Sequence, residues 1–202
     1  MDALFIVGSA FFALGAAPGY SSLAPAEVVV VTFFVGSLFF TSAATLQYLG
    51  TTGGRLLAWQ PADLDWAAAL IQLFGTLWFN INTFAARDPG LDAAAADVRI
   101  WTPDYLGSVC FLVASGLAVI ALGNPPWRDR RAWRINGLNL LGSVFFMAAA
   151  IAAFVLPDTD DLLDATLANS GTFLGALCFL VAARIDQKGT SPSTDDEGAT
   201  VS

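Results

Sequence analysis

A five-residue pattern recurs in six places along this chain: glycine, a small residue, an apolar residue, an aromatic or cysteine, then phenylalanine. It reads GSAFF from Gly8, GSLFF from Gly36, GTLWF from Gly75, GSVCF from Gly107, GSVFF from Gly142 and GALCF from Gly175. Each copy lies inside a long apolar segment, so the chain reads as one helical unit used six times. Apolar residues make up 56% of the sequence and charged ones 13%. The charges fall between the apolar segments and in the tail, leaving stretches close to the roughly 20 residues that cross a bilayer core. Backbone groups in lipid must be satisfied within the segment, which leaves helices or a closed barrel. Long apolar runs without strict alternation select helices. The expectation is an all-α polytopic membrane protein with six transmembrane helices, forming a membrane domain over residues 1–185.

Breakers mark the helix ends. Helix one is expected from about Ala3 to Ala17, stopped by Pro18-Gly19, and helix two from after Pro25 to about Leu49. Helix three spans about Trp66 to Ala86. A loop with several aspartates follows, in which Asp92 to Asp97 reads as a surface turn. Thr102-Pro103-Asp104 reads as a capping threonine followed by proline at the first helical position of helix four, which ends at Gly123 to Pro126. Helix five runs from about Trp133 to Leu156 and helix six from about Leu162 to Ile185. Residues 186–202, rich in Ser, Thr, Gly and acid, read as a disordered acidic cytoplasmic tail.

Trp66 and Trp133 each lie nine residues before a motif glycine, and Gln72 and Asn139 each lie three before it. The unit is therefore a hairpin, used three times in tandem over about 3–49, 66–122 and 133–185. With an even number of spans, one side collects Arg55, Arg128, Arg130, Arg131, Arg134, Arg184 and Lys188, and the other only Arg87 and Arg99. By the positive-inside rule both termini are cytoplasmic, in a multi-pass protein of the cell membrane. Trp59, Trp66, Trp101, Trp127 and Trp133 sit near helix ends, as interfacial anchors do.

The motif glycines Gly8, Gly36, Gly75, Gly107, Gly142 and Gly175 have small partners two turns on, at Gly15, Ala43, Thr83, Ser115, Ala149 and Ala182. Lipid gives no hydrophobic reason for helices to associate, and close backbone approach through small residues is a usual solution. The stripe is read as a helix-packing surface, with the motif phenylalanine filling an adjacent groove; lining a permeation path is the alternative. Cys110 and Cys178 share one motif position and read as small packing residues.

Amides at membrane depth are costly unless partnered. Gln72, Asn80, Asn82, Asn136 and Asn139 form the densest set and are the candidate polar intramembrane site. Gln72 and Asn139, equivalent by spacing, are expected to face a common centre and to hydrogen-bond across it. Interhelical glue is one reading and a polar path between helices three and five the other. Asp104 is read as a first-turn acid facing the helix dipole. In the path reading, Glu27, Asp88, Asp104, Asp158, Asp160 and Asp161 attract cations on the outer side. The Arg128–Arg134 cluster is read as a topology determinant or anionic-lipid contact.

The sequence has no histidine, so histidine-ligated haem, histidine metal sites and a histidine general base are absent. It has one lysine, Lys188, and that residue lies outside the predicted helices. Neither a phosphate loop nor a serine-nucleophile motif occurs. No enzymatic activity, cofactor or metal is expected. Net charge −8 argues against nucleic acid as a partner; membrane lipid, a second copy or another membrane protein is expected instead. Eight arginines against one lysine, with acids nearly all aspartate, resemble the composition of a salt-in halophile.

At Asn136 to Ile185 the chain resembles the YrhK-like domain, a two-helix membrane module. The residues that carry the resemblance are Asn-Gly-Leu-Asn-Leu-Leu-Gly-Ser-Val-Phe-Phe from Asn136, an acidic turn, and Gly171-Thr-Phe-Leu-Gly175-Ala-Leu-Cys-Phe. The likeness covers the last hairpin well, the middle one more loosely and the first by the glycine motif alone. Ala176 stands where the pattern has serine, and helix three lacks the early asparagine. The resemblance implies an integral membrane protein and carries over no catalytic residue. It favours a non-enzymatic scaffold or interaction protein, with a small-solute or ion channel or transporter as the alternative.

Overall fold

The computed structural model describes residues 1–159 and 161–190. Its long elements are all helical: α1 (Asp2–Gly15), α2 (Ala26–Thr51), α3 (Leu64–Ala85), α4 (Thr102–Ala121), α5 (Arg130–Ala152) and α6 (Ala165–Thr190). No strand occurs among the described residues, only an isolated antiparallel bridge between Val155 and Leu162.

Aspartates start several of these helices. The Asp63 carboxylate accepts from the Asp65 and Trp66 amides at 2.9 and 3.1 Å. Asp129 accepts from Ala132 N, and Asp164 from Leu167 N, each at 2.9 Å. A first-turn amide has no intrahelical acceptor, and an N-cap carboxylate supplies one. Part of the acidic composition thus serves to begin helices.

Among the described residues, five helical stretches are long and apolar enough to cross a membrane: α2, α3, α5, α6 and the run Ala93–Ala121 that ends in α4. The expected sixth span falls short. α1 has 14 residues; at 1.5 Å per residue that is about 21 Å, less than a core of about 30 Å. Gly19, at φ 83°, then reverses the chain into a short helix, Tyr20–Leu23.

The region before α4 also departs from expectation. Asp92 caps a helical turn, Ala93–Ala96, by accepting from Ala95 N at 2.8 Å. A π-helical segment, Asp97–Trp101, then runs into α4 without a break. Thr102 is therefore no cap. Its hydroxyl donates to the Asp97 carbonyl at 2.8 Å, inside the helix. Asp104 is likewise not a first-turn acid but lies well within a continuous 29-residue helical run.

α5 stops at Ala152 rather than near Leu156, because Phe154 and Leu156 pair with Leu163 and Asp161 across the following turn. α6 continues through Asp186 to Thr190, past the expected stop at Ile185. Residues 191–202, the rest of the expected tail, and Asp160 lie outside the described residues. Trp66 is buried against Tyr48 and Ala69, whereas Trp59 and Trp127 are exposed.

The six long helices form a closed ring in chain order, each packed on its two sequence neighbours, with α1 closing against α6. Neighbours run antiparallel. Phe5 meets Phe40 while Phe12 meets Phe33, and Thr41 meets Asn80 while Ser37 meets Thr83. One end of the ring therefore holds Met1, the α2–α3 and α4–α5 connections and the α6 C-terminus. The other end holds the remaining connections.

Candidate functional site

The glycine motifs meet in pairs. A Cβ on Gly8 would lie 3.1 Å from the Gly36 carbonyl oxygen and 3.1 Å from the Phe40 ring. On Gly36 it would lie 2.9 Å from the Phe12 ring and 3.2 Å from the Gly8 carbonyl. The same exchange joins Gly75 and Gly107 with Phe111 and Phe79, and Gly142 and Gly175 with Phe179 and Phe146. In every pair, each glycine receives the phenylalanine of the opposite motif. Cys110 and Cys178 are free, half-buried thiols whose Cβ atoms flank Gly75 and Gly142.

The second motif residues Ser9, Ser37, Thr76, Ser108, Ser143 and Ala176 are fully buried. Ser37 bonds Thr83 at 3.0 Å between α2 and α3. Ser143 bonds Ser115 at 2.8 Å between α4 and α5. The small stripe is thus a packing surface at these two contacts.

The six motif phenylalanines do not fill separate grooves. They converge on the axis of the ring and form a trigonal prism of rings. Phe12, Phe79 and Phe146, from α1, α3 and α5, make one triangle, with centroids 6.2, 5.9 and 5.8 Å apart. Phe40, Phe111 and Phe179, from α2, α4 and α6, make the other, at 6.2, 6.2 and 5.7 Å. The prism edges are the glycine-paired partners: Phe12–Phe40 at 5.4, Phe79–Phe111 at 5.1 and Phe146–Phe179 at 5.4 Å. Most of these pairs are edge-to-face, the arrangement that places a positive ring edge on a negative ring face.

A cavity lies against each triangle. The cavity at the end that carries the termini has a volume of about 330 Å³ and touches Phe40, Phe111 and Phe179. The cavity at the opposite end, about 310 Å³, touches Phe12 and Phe146. The phenylalanine prism separates the two.

One sequence position lines both. Three residues before the motif glycine, α1, α3 and α5 place Phe5, Gln72 and Asn139 on the first cavity. At the same position α2, α4 and α6 place Phe33, Asp104 and Thr172 on the second. Antiparallel packing sends a single register position to opposite mouths.

The candidate amides consequently divide among three places. Gln72, Asn136 and Asn139 line the first cavity, where Asn136 Nδ2 donates to the Ala132 carbonyl at 3.0 Å. Gln72 and Asn139 face this common space, but no hydrogen bond joins them. The cavity holds their side chains apart, with helices α4 and α6 also contributing to its wall. Asn80 points away from the axis and donates to Thr41 Oγ1 on α2 at 2.8 Å, as interhelical glue. Asn82 serves the second cavity, donating from Nδ2 to Asp104 Oδ1 at 2.7 Å. The wall of the cavity that Gln72 and Asn139 line includes residues of all six long helices.

Sequence reasoning missed Gln47 and Asp186, both on the wall of the first cavity. They stand eleven residues after Gly36 and Gly175, as Ala118 does after Gly107. Within the α5–α6 hairpin Asp186 stands opposite Arg131, eleven residues before Gly142. At the rim, Arg131 pairs with Asp186 at 3.2 Å, a partly exposed contact that contributes little.

Among the other acids named for the outer side, Asp88 pairs with Arg99 at 3.3 Å and does not line the second cavity. Glu27, Asp158 and Asp161 are exposed and also lie off the cavity wall. Among the described residues of that set, Asp104 alone reaches it. Comparison with protein-family models, curated proteins and solved structures found no match to the chain.

Proposed function

We propose that this chain is a six-span membrane protein that passes a small polar or charged solute along the axis of its helix ring, with the phenylalanine prism as the closure. The observation that carries this reading is the pair of cavities abutting opposite triangles of one aromatic plug. Hydrophobic constrictions between wetted vestibules close pores by excluding water. Amides three residues before the motif glycine give the first vestibule donors and acceptors for a polar solute.

The sixth span is α1. Its support is positional: Phe12 completes a triangle with Phe79 and Phe146, and α1 closes the ring between α2 and α6. Local thinning of the bilayer accommodates a short helix at modest cost. The repeating unit is then a hairpin used three times in tandem, as in the YrhK-like resemblance. The arginine bias places both termini on the cytoplasmic side of the cell membrane, which makes the amide-lined vestibule the inner one.

A second reading is a non-enzymatic scaffold that acts through lipid, a second copy or another membrane protein. It is favoured by how completely the six rings fill the axial level. Solute flux into liposomes decides between them, with wild type beside Gln72→Leu/Asn139→Leu and folding checked for both. Wild-type flux that the double substitution abolishes without unfolding supports the path. No flux for either protein across a broad solute panel overturns it and leaves the scaffold.

A further inference from the structure

The second cavity contains a carboxylate without a cation. Asp104 is half-buried within a candidate membrane span. Its Oδ1 accepts from the buried Asn82, and the ion pairs among the described residues, Arg99–Asp88 and Arg131–Asp186, do not include it. An ionisable side chain held at membrane depth marks a site, because hydrocarbon offers nothing to offset its charge.

The walls around it limit what fits. Phe33, Ile100 and Trp101 are apolar or aromatic, and the polar additions are Thr83 and Thr172. Trp101 is fixed in place: its Nε1 donates to the Ala150 carbonyl at 2.8 Å and its ring stacks on Tyr105 at 5.4 Å. The Thr172 hydroxyl donates to the Ala168 carbonyl at 2.9 Å, which leaves its lone pairs to accept, whereas Thr83, donating to the Phe79 carbonyl at 2.6 Å, already has Ser37 as a partner at 3.0 Å.

A hard divalent ion takes six or more oxygen ligands. One carboxylate and two hydroxyls fall short, and no group of three acids, cysteines or histidines converges among the described residues. The cavity, at about 310 Å³, holds several times the roughly 30 Å³ of a water molecule. A cation that covers its charge with methyl or methylene groups fits both the apolar wall and the volume. Aromatic faces attract such cations.

We infer that the Asp104–Asn82 cavity binds a monovalent organic ammonium ion, with Asp104 as its counter-charge and the Phe33 and Trp101 rings as its wall. Binding here does not require that solute cross the plug, so it stands apart from the path reading.

The test is calorimetric titration of the purified full chain in detergent with tetramethylammonium chloride, in a constant potassium chloride background, beside the same titration with sodium chloride. Saturable tetramethylammonium binding is expected, weakened about tenfold or more by Asp104→Asn and unchanged by Asp88→Asn at the same end of the ring. Phe33→Leu, which retains the charge and the Asn82 bond, is expected to weaken it as well. This keeps the inference testable if Asp104→Asn does not fold. No saturable heat, equal affinity in folded Asp104→Asn, or an equal response to sodium overturns the site. Binding without liposome flux overturns the path reading alone, and flux without binding overturns the site alone.

Discussion

Gly75 packs against the ring of Phe111: a Cβ built on Gly75 would stand 2.7 Å from Phe111 Cδ2 and 2.9 Å from Cys110 Cβ. Gly107, the glycine of the Phe111 motif, lies in turn against the Gly75 carbonyl oxygen and the Phe79 ring. Each glycine thus removes the one atom that would hold the opposite phenylalanine off the axis. Backbone approach and aromatic convergence are two effects of the same residue.

A methyl group at a motif glycine should therefore be costly where one elsewhere is not. On Gly142 the added Cβ meets the Gly175 carbonyl and the Phe179 ring at 3.0 Å, while on Gly137 of the same helix it meets nothing within 4 Å. Gly142→Ala is expected to destabilise by about 1–3 kcal/mol, as overpacking does. Gly137→Ala is expected to be neutral or to stabilise by about 0.5–1 kcal/mol. Thermal unfolding in one detergent, with both variants beside wild type, checks the contrast.

The amides should separate into two classes. Asn80→Leu removes an interhelical bond to Thr41 and is expected to cost on the order of 0.6 kcal/mol, with solute flux unchanged. Gln72→Leu should leave unfolding almost unmoved, since its side chain lines a cavity and bonds no other helix, yet reduce flux. Equal effects of the two substitutions on flux would contradict the division of the amides between glue and vestibule.

The helices were legible because the glycine motif recurs at one register in each, but the ring they form was not. Gln72 and Asn139, at one spacing before their glycines, line one cavity but do not hydrogen-bond across it. What could not be read was the meeting of all six phenylalanines, since tandem similarity fixes a unit and not its arrangement about an axis. Asp104 was misplaced for a local reason. Thr102-Pro103 has the chemistry of a helix start, but the Asp92 cap and the π-helical segment had already begun the helix upstream. Gln47 and Asp186 carried a signal only when helices of opposite direction were compared level by level.

The prism should show energetic coupling along its edges. Phe79 and Phe111 are 5.1 Å apart, and a cycle of Phe79→Leu and Phe111→Leu is expected to give a coupling of about 0.5–1.5 kcal/mol beyond lost area. Additivity of the two substitutions in unfolding free energy would mean that the rings merely coincide in space.

The aspartate caps predict a plainer effect. Asp63→Ala removes the acceptor for two first-turn amides of α3 and should cost about 1 kcal/mol. Asp158→Ala, at an exposed turn, should fall within about 0.5 kcal/mol of wild type. Equal losses would assign the acidic residues to surface hydration rather than to helix initiation.

The most direct measurement is small-solute leak from liposomes that contain wild type or Phe79→Ala/Phe146→Ala, with helicity and monodispersity matched. These substitutions remove two rings of the triangle that faces the Asp104 cavity. If the prism closes an axial path, leak rises well above wild type, and adding Gln72→Leu/Asn139→Leu lowers it again. Liposomes that remain as tight as wild type, with the variant folded, would contradict a closed path and leave the six phenylalanines as a packing core.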